Sequence, residues 1–176
     1  KIGLEVLIEE VEAMANVEEI AGASTRLEAL IFGVGDYSAS QGISGEVFSE
    51  TNSYPDDIWH YGRNKITIAA RMHGLDSIDG PYPNFRDETG YVRECERSKF
   101  LGAVGKWAIH PSQVPLAQEA YAPTADEVAH ARKLNEGYLA AVAEGKGAAQ
   151  VDGFMVDAAT MRLFQNTLDM ADRLGM

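Results

Sequence analysis

The chain has 176 residues, 45% of them hydrophobic and 24% charged, which suits a soluble globular protein with a core of its own. A net charge of −12 turns the surface against phosphate backbones and anionic lipid, so nucleic acid and membrane surfaces are excluded as partners, although a local basic pocket for a small anion remains compatible. No apolar run approaches the ~20 residues of a membrane span, "KIGLEVLIEE" lacks the layout of a signal peptide, and the single cysteine, Cys95, cannot form an intrachain disulfide, in keeping with a reducing cytoplasm.

Strand-like and helix-like runs alternate along the chain. "KIGLEVLIE" reads as a strand ending at Glu9; it is already under way at residue 2, so the chain is expected either to begin abruptly or to be the later part of a longer one. "NVEEIAGAS" reads as a short helix with Asn16 as N-cap and Glu19 three residues on, as in a capping box. "LEALIFGV" is the next strand, and the polar, Gly/Ser-rich residues 38–54 read as a long loop of the kind that often carries function. In "PDDIWHYGRNKITIAARMHG", Ile58, Tyr61, Lys65, Ile68, Ala69 and Met72 fall at helical spacing, with Pro55 suited to the first turn and Gly74 to the C-cap. "LDSIDGPYP" is a short strand, "DETGYVRECERSKFLG" a helix closed by Gly102, "GKWAIHP" a strand stopped by Pro111, and "SQVPLAQEAY" a short helix. A second capping box, Thr124 with Glu127, opens a long amphipathic helix running to Gly145, and "VDGFMVD" leads into a last helix, "AATMRLFQNTLDMADRLG".

Short buried strands alternating with helices imply parallel β/α units. Four such units are about half of a (β/α)₈ barrel of ~250 residues, and in that barrel catalytic groups sit at the C-terminal ends of the strands. Glu9, Asp36, Asp79 and His110 all fall where strands are expected to end. The division expected is residues 1–123 as half a barrel and 124–176 as an appended helical segment.

Glu9 and Asp36 lie 36 − 9 = 27 positions apart, a plausible length for one β/α unit. Adjacent strand ends in a sheet are ~4.8 Å apart, so two carboxylates there repel unless a cation or a shared proton intervenes. Oxygen-only ligands suit a hard ion, and Mg²⁺ is typically held by one or two carboxylates with water and substrate oxygens. Gly33 and Gly35 leave room for a small anion to approach the backbone amides around Asp36. The residues alone leave a second reading open, in which Glu9 and Asp36 cap the helices after them. The same holds for Asp157 ahead of "AATMRLF", for His110 as a packed structural residue, and for Arg86 and Asp87 as an ion pair or cap. Cys95 in its charged helical pattern reads as a bystander, and Trp59 and Trp107 as core or interface.

The segments "LIEEVEAMANVEEIA", "EALIFGVGDYSAS", "FRDETGYVRECERSKFLGAVGKWAIHPSQV" and "DGFMVDAATMR" resemble, in order and spacing, the citrate lyase β-subunit-like CoA-ester lyases of the HpcH/HpaI aldolase superfamily, and within them the malyl-CoA and β-methylmalyl-CoA lyases. The resemblance implies an α/β fold, a TIM (β/α)₈ barrel with a C-terminal extension, assembled as a homotrimer or homohexamer. It implies a Mg²⁺-dependent (or Mn²⁺-dependent) carbon–carbon lyase acting on a CoA thioester and a 2-oxo acid such as glyoxylate. It puts Glu9 and Asp36 at the two metal carboxylates and the backbone of Val34, Gly35 and Asp36 at the substrate carboxylate. Asp157 falls at an acid delivered into a neighbouring subunit's site, and His110 and Pro111 at a turn near the CoA channel. The family's catalytic arginine belongs to the first half of its barrel, and no arginine of this chain matches that motif. Alternatives are a citramalyl-CoA lyase, a malyl-CoA thioesterase, a class II pyruvate aldolase acting without CoA, and a non-catalytic half-barrel that assembles with partners.

Overall fold

The apolar segments pair in chain order. In the computed structural model, which describes residues 2–48 and 57–176, β1 (Leu4–Ile8), β2 (Leu27–Phe32), β3 (Asp76–Asp79) and β4 (Gly105–Lys106) form one parallel sheet in the order β1-β2-β3-β4. Helices follow each strand: α1 (Val11–Ala15) and α2 (Val17–Ala21) after β1, α3 (Val34–Ser40) and α4 (His60–Met72) after β2, α5 (Glu88–Phe100) after β3, and α6 (Gln113–Tyr121) after β4. Four consecutive parallel β/α units are half of a (β/α)₈ barrel, as expected. They fall in a compact unit over Lys1–Tyr121, and Ala122–Met176 forms a second.

β2 carries the core because "LEALIF" is apolar on both faces, as a strand covered on both sides must be; Leu30, Ile31 and Phe32 are buried. Leu30 and Phe32 join Ile8, Met14, Val17, Ile66, Ala69 and Ala70 in one cluster, which seats α1, α2 and α4 on the same side of the sheet. Farther along, Tyr91, Cys95, Ala103 and Tyr121 pack a second cluster between α5 and α6. Cys95 is fully buried there, and its thiol is pushed up to about 11, chiefly by burial, so it stays a protonated packing group.

Several expectations are corrected. Asn16 makes no side-chain cap; its amide closes α1 on the Glu12 carbonyl and its side chain donates to that same oxygen (2.7 Å), so α1 runs on into α2 and there is no free first turn for a capping box with Glu19. The expected loop over 38–54 begins inside α3 and contains a 3-10 turn, Gly45–Phe48; residues 49–54, and Pro55, lie outside the described residues. On α4, Tyr61, Ile68 and Met72 are exposed, and the buried face is Gly62, Arg63, Ile66, Thr67, Ala69 and Ala70. "GKWAIHP" yields a strand of two residues only, because past Trp107 the amides of Ile109 and His110 donate to the side chain of Gln113 (2.8 and 3.3 Å). Trp107 is exposed, not core.

The two polar side chains on the buried face of α4, Arg63 and Thr67, are answered by β3. Thr67 and Ser77 hydroxyls are hydrogen-bonded at 2.9 Å. Asp79 and Lys106 are cross-strand neighbours in register, joined at 2.6 Å, and Arg63 Nε reaches the other Asp79 oxygen at 2.9 Å. Asp57 binds Arg63 Nη1 (2.7 Å) and Glu94 binds Lys106 (2.9 Å). Asp79 is only 2% exposed. Burial pushes its carboxyl up, but the charges of Lys106 and Arg63 and their hydrogen bonds outweigh it and hold the group below the usual carboxylate range.

In the second unit, Thr124 and Glu127 make the expected reciprocal capping box at the start of α7 (Ala125–Ala143). "VDGFMVD" belongs to an antiparallel hairpin, β5 (Ala148–Val151) with β6 (Phe154–Asp157), turned by Asp152 and Gly153 at positive φ, a conformation that favours the Asp-Gly pair. α8 (Ala158–Leu174) ends at Gly175 in the left-handed region. Leu134, Val156 and Met161 form its small core.

Asp79→Asn leaves two buried cations short of an anion, so denaturant unfolding at pH 7 should show a loss on the order of 3–5 kcal/mol. Because the Asp79 pKa is lowered in the folded state, its stabilisation is complete above the unfolded value near ~4 and is lost as pH falls through the lower folded value. The gap between wild type and Asp79→Asn should therefore close as acid unfolding is followed below about pH 4.

Candidate active site

Val6, Ile8, Leu30 and Phe32 face the helices, so strand alternation puts Leu7 and Glu9 of one strand, and Ile31 and Gly33 of the next, on the opposite face. Ile8 pairs with Phe32, and the Gly33 amide donates to the Ile8 carbonyl at 3.0 Å, so Glu9 and Gly33 stand side by side at the C-terminal edge of the sheet. Glu9 lies across Gly33: a Cβ on Gly33 would meet the Glu9 Cβ and stand 2.8 Å from its Oε2. Gly80, just past β3, is held equally close to the Phe32 carbonyl. Glycine is needed at both points because neighbouring chains leave no space for a side chain.

Asp36 does not end the strand. β2 stops at Phe32, and Asp36 lies exposed in the first turn of α3, directly downstream of the same edge. The amides of Val34, Gly35 and Asp36 belong to the first turn of that helix, where N–H groups have no intrahelical acceptor. Gly35 has nothing within 4 Å of its missing Cβ. The structure thus brings Glu9, Gly33, Val34, Gly35 and Asp36 to one edge of two adjacent strands. Among the described residues, neither Glu9 nor Asp36 pairs with a lysine or arginine. No group of three or more His, Cys, Asp or Glu among them can hold a metal. Two unpaired carboxylates beside open space fit Mg²⁺, which keeps several waters, and not an all-protein cage.

The other strand-end candidates part company with these. Asp79 faces α4, and Arg63 and Lys106 take up its carboxylate, so it is a structural ion. Lys106 in the "GKW" run was the sequence signal for that pairing, since a lone cation in a buried strand needs an anion beside it. His110 and Pro111 sit on an exposed turn beyond β4. His110 Nδ1 accepts from the Ser112 amide (3.2 Å), and its ring stacks on Phe85 at 4.7 Å, with the Arg86 guanidinium 5.0 Å from the same Phe85 ring. Asp87 is the N-cap of α5, accepting from the Gly90 amide at 2.9 Å.

Asp157, in the second unit, caps α8: its Oδ1 accepts from the Thr160 amide (2.8 Å) and the Thr160 hydroxyl (2.9 Å), and these bonds hold the carboxyl below its ordinary range. The capping reading of this residue is therefore realised, and it fixes how the carboxylate is held.

The profile of the HpcH/HpaI aldolase/citrate lyase family matches residues 1–111. The L-malyl-CoA/β-methylmalyl-CoA lyase of Rhodobacter capsulatus is 42% identical over 172 residues, covering 92% of this chain and 54% of its own length. The malyl-CoA/β-methylmalyl-CoA/citramalyl-CoA lyase of Chloroflexus aurantiacus is 31% identical, covering 96% and 52%. CitE of Mycobacterium tuberculosis, solved in complex with magnesium, acetoacetate and coenzyme A, is 27% identical with a TM-score of 0.77 over 97% of this chain and 61% of that one. A citrate lyase of Burkholderia xenovorans, 23% identical, shares the fold at a TM-score of 0.82, over 98% of this chain and 54% of that one. The chain spans about half the length of the curated relatives it matches.

The two glycines at the site should respond differently. Gly33→Ala forces Glu9 aside and should lower stability by about 1–3 kcal/mol, the usual cost of overpacking. Gly35→Ala meets open space and should leave the melting temperature unchanged or slightly raised, since alanine favours a helix. Thermal unfolding of both variants checks this.

Proposed function

The chain belongs to the HpcH/HpaI aldolase/citrate lyase family, and on that premise we propose that the full-length protein is a Mg²⁺-dependent CoA-ester lyase. It reversibly cleaves malyl-CoA, or β-methylmalyl-CoA, to acetyl-CoA, or propionyl-CoA, and glyoxylate. The observation that carries this reading is the placement of Glu9 and Asp36 at one edge of adjacent parallel strands, with Glu9 laid across Gly33.

Glu9 and Asp36 hold Mg²⁺, with Mn²⁺ as a substitute; when bound, the ion supplies Lewis-acid charge for the carboxylate and carbonyl oxygens of the 2-oxo acid. The amides of Val34, Gly35 and Asp36 donate to the substrate carboxylate, and the space over Gly35 admits it. Asp157, presented by the second unit to a neighbouring copy in a homotrimer or homohexamer, handles the proton. Its ionised form, favoured by the Thr160 bonds, removes a proton from the thioester methyl in condensation. In cleavage the substrate hydroxyl gives up its proton to water and becomes the glyoxylate carbonyl as the carbon–carbon bond breaks, and protonated Asp157 gives its proton to the thioester enolate left behind. His110 and Pro111 border the CoA channel, beside the Phe85 and Arg86 stack. Arg63 is committed to Asp57 and Asp79 and is not assigned the family's catalytic arginine role. The buried, protonated Cys95 is at home in a reducing cytoplasm.

The full-length protein incubated with acetyl-CoA or propionyl-CoA and glyoxylate should form the malyl thioester, read by mass, only when Mg²⁺ is present. Pyruvate in place of glyoxylate tests citramalyl-CoA, and free CoA release from malyl-CoA tests thioesterase action. Asp36→Ala should lose Mg²⁺ binding and turnover together, and normal Mg²⁺-dependent turnover in that variant sinks the metal assignment. Asp157→Asn should lower turnover by roughly 10²–10⁴-fold, the usual contribution of general acid–base catalysis, with Mg²⁺ affinity retained.

A further inference from the structure

We propose that Trp59 is a positioning residue for Asp36, acting through Ser38. The inference rests on the metal reading of Asp36 above and adds to it the group that sets where that carboxylate stands.

Helix α3 spans seven residues, too short to hold its own geometry without tertiary ties. Ser38 is one such tie. Ser38 is 2% exposed, and its hydroxyl donates to the Val34 carbonyl at 2.7 Å and accepts from Trp59 Nε1 at 2.8 Å. Val34 and Ser38 are four apart and share one side of the helix; Asp36, two residues from each, falls about 200° around, on the other side. Trp59 therefore grips α3 from behind while Asp36 faces away from the grip. This is the geometry of a support and not of a ligand.

The support is itself anchored. The Trp59 amide donates to Asp57 Oδ1 at 3.0 Å, Asp57 Oδ2 binds Arg63 Nη1 at 2.7 Å, and Arg63 Nε binds Asp79 Oδ1 at 2.9 Å at the end of β3. The Arg63 guanidinium also lies 5.8 Å from the Trp59 ring centroid. A continuous polar line thus runs from the sheet's buried ion cluster to the back of the helix that carries Asp36. Among the described residues, the indole N–H is the donor by which that line touches α3. The far end of α3 keeps the bond from the Val11 amide to Ser40 Oγ at 3.0 Å, and Val34 and Tyr37 stay packed in the core, so losing the indole bond loosens the turn that carries Asp36 without releasing the helix or disturbing the sheet.

The test uses the full-length protein and three variants, Trp59→Phe, Ser38→Ala and the pair together, with Asp36→Ala as reference. Mg²⁺ binding is titrated by calorimetry without substrate, alongside the melting temperature and the Mg²⁺ dependence of turnover. Each single variant should bind Mg²⁺ roughly three- to tenfold more weakly, the size of one net hydrogen bond, while turnover at saturating Mg²⁺ falls by less. The double variant should be no weaker than the singles, because both remove the same bond. A lowered melting temperature with unchanged Mg²⁺ affinity in the folded variants overturns the proposal and leaves Trp59 a packing residue. Ser38→Ala carries the test if Trp59→Phe does not fold. If Asp36→Ala binds Mg²⁺ like wild type, the metal reading itself fails and this inference with it. If Asp36→Ala loses binding but Trp59→Phe and Ser38→Ala do not, only the positioning role fails.

Discussion

The ion pair between Asp79 and Lys106 is the constraint on which the rest of the first unit leans. The two residues face each other across β3 and β4 in register, in a site from which water is largely excluded. Removing both charges from water costs several kcal/mol per ion, and their attraction repays it only if each remaining polar site is met. Here Arg63 takes the second Asp79 oxygen, Glu94 takes Lys106, and Asp57 holds Arg63, whose Nη2 keeps only a longer ion pair to Glu94 at 3.5 Å. That requirement ties α4, α5, β3 and β4 into one arrangement, since none of these elements can shift without stranding a buried charge.

The sheet then divides its polar residues by face. Toward the helices, Ser77 is matched by Thr67 and Asp79 by both Arg63 and Lys106, and their work is done in holding layers together. At the same C-terminal edge, Glu9 on the other face and Asp36 in the first turn of α3 are left without cationic partners among the described residues, with Gly33 making room for Glu9 and Gly35 beside open space. Carboxylates left unpaired at that edge are where a cation has something to gain, which is the basis of the metal site proposed above. Close approaches at Gly33 and Gly80 bring three strand ends together tightly enough for their exits to form one rim.

The cap that Asp157 makes on α8 is compatible with the proton-transfer role proposed for it. An N-cap needs a carboxylate with an oxygen turned to the helix amides, and Thr160 supplies both an amide and a hydroxyl for it. The same bonds keep the group ionised, which suits proton removal, and hold it at the head of α8 in a fixed rotamer. A cap is therefore no argument against a catalytic acid at this position, since a proton-transfer group also has to be held still.

Local chemistry made much of this protein legible from its residues. The apolar run "LEALIF", the Thr124 and Glu127 box and the glycine stops after helices are short-range patterns whose physics is complete within a few residues, and each appears in the fold. The resemblance carried by "FGVGDYSAS" and "GFMVDAATMR" identified the family from the same local text. Only the tertiary structure decided which side of α4 is buried, because that face mixes Ile66, Ala69 and Ala70 with Arg63 and Thr67, whose partners, Asp79 and Ser77, come from another strand. It likewise turned Asp79 from a catalytic candidate into a structural ion, denied Asn16 its cap by running two helices together, and cut β4 short by offering its amides to Gln113. A side chain's neighbours along the chain fix its propensity, whereas its role depends on charges and donors brought from distant positions, and those are set only when the layers pack.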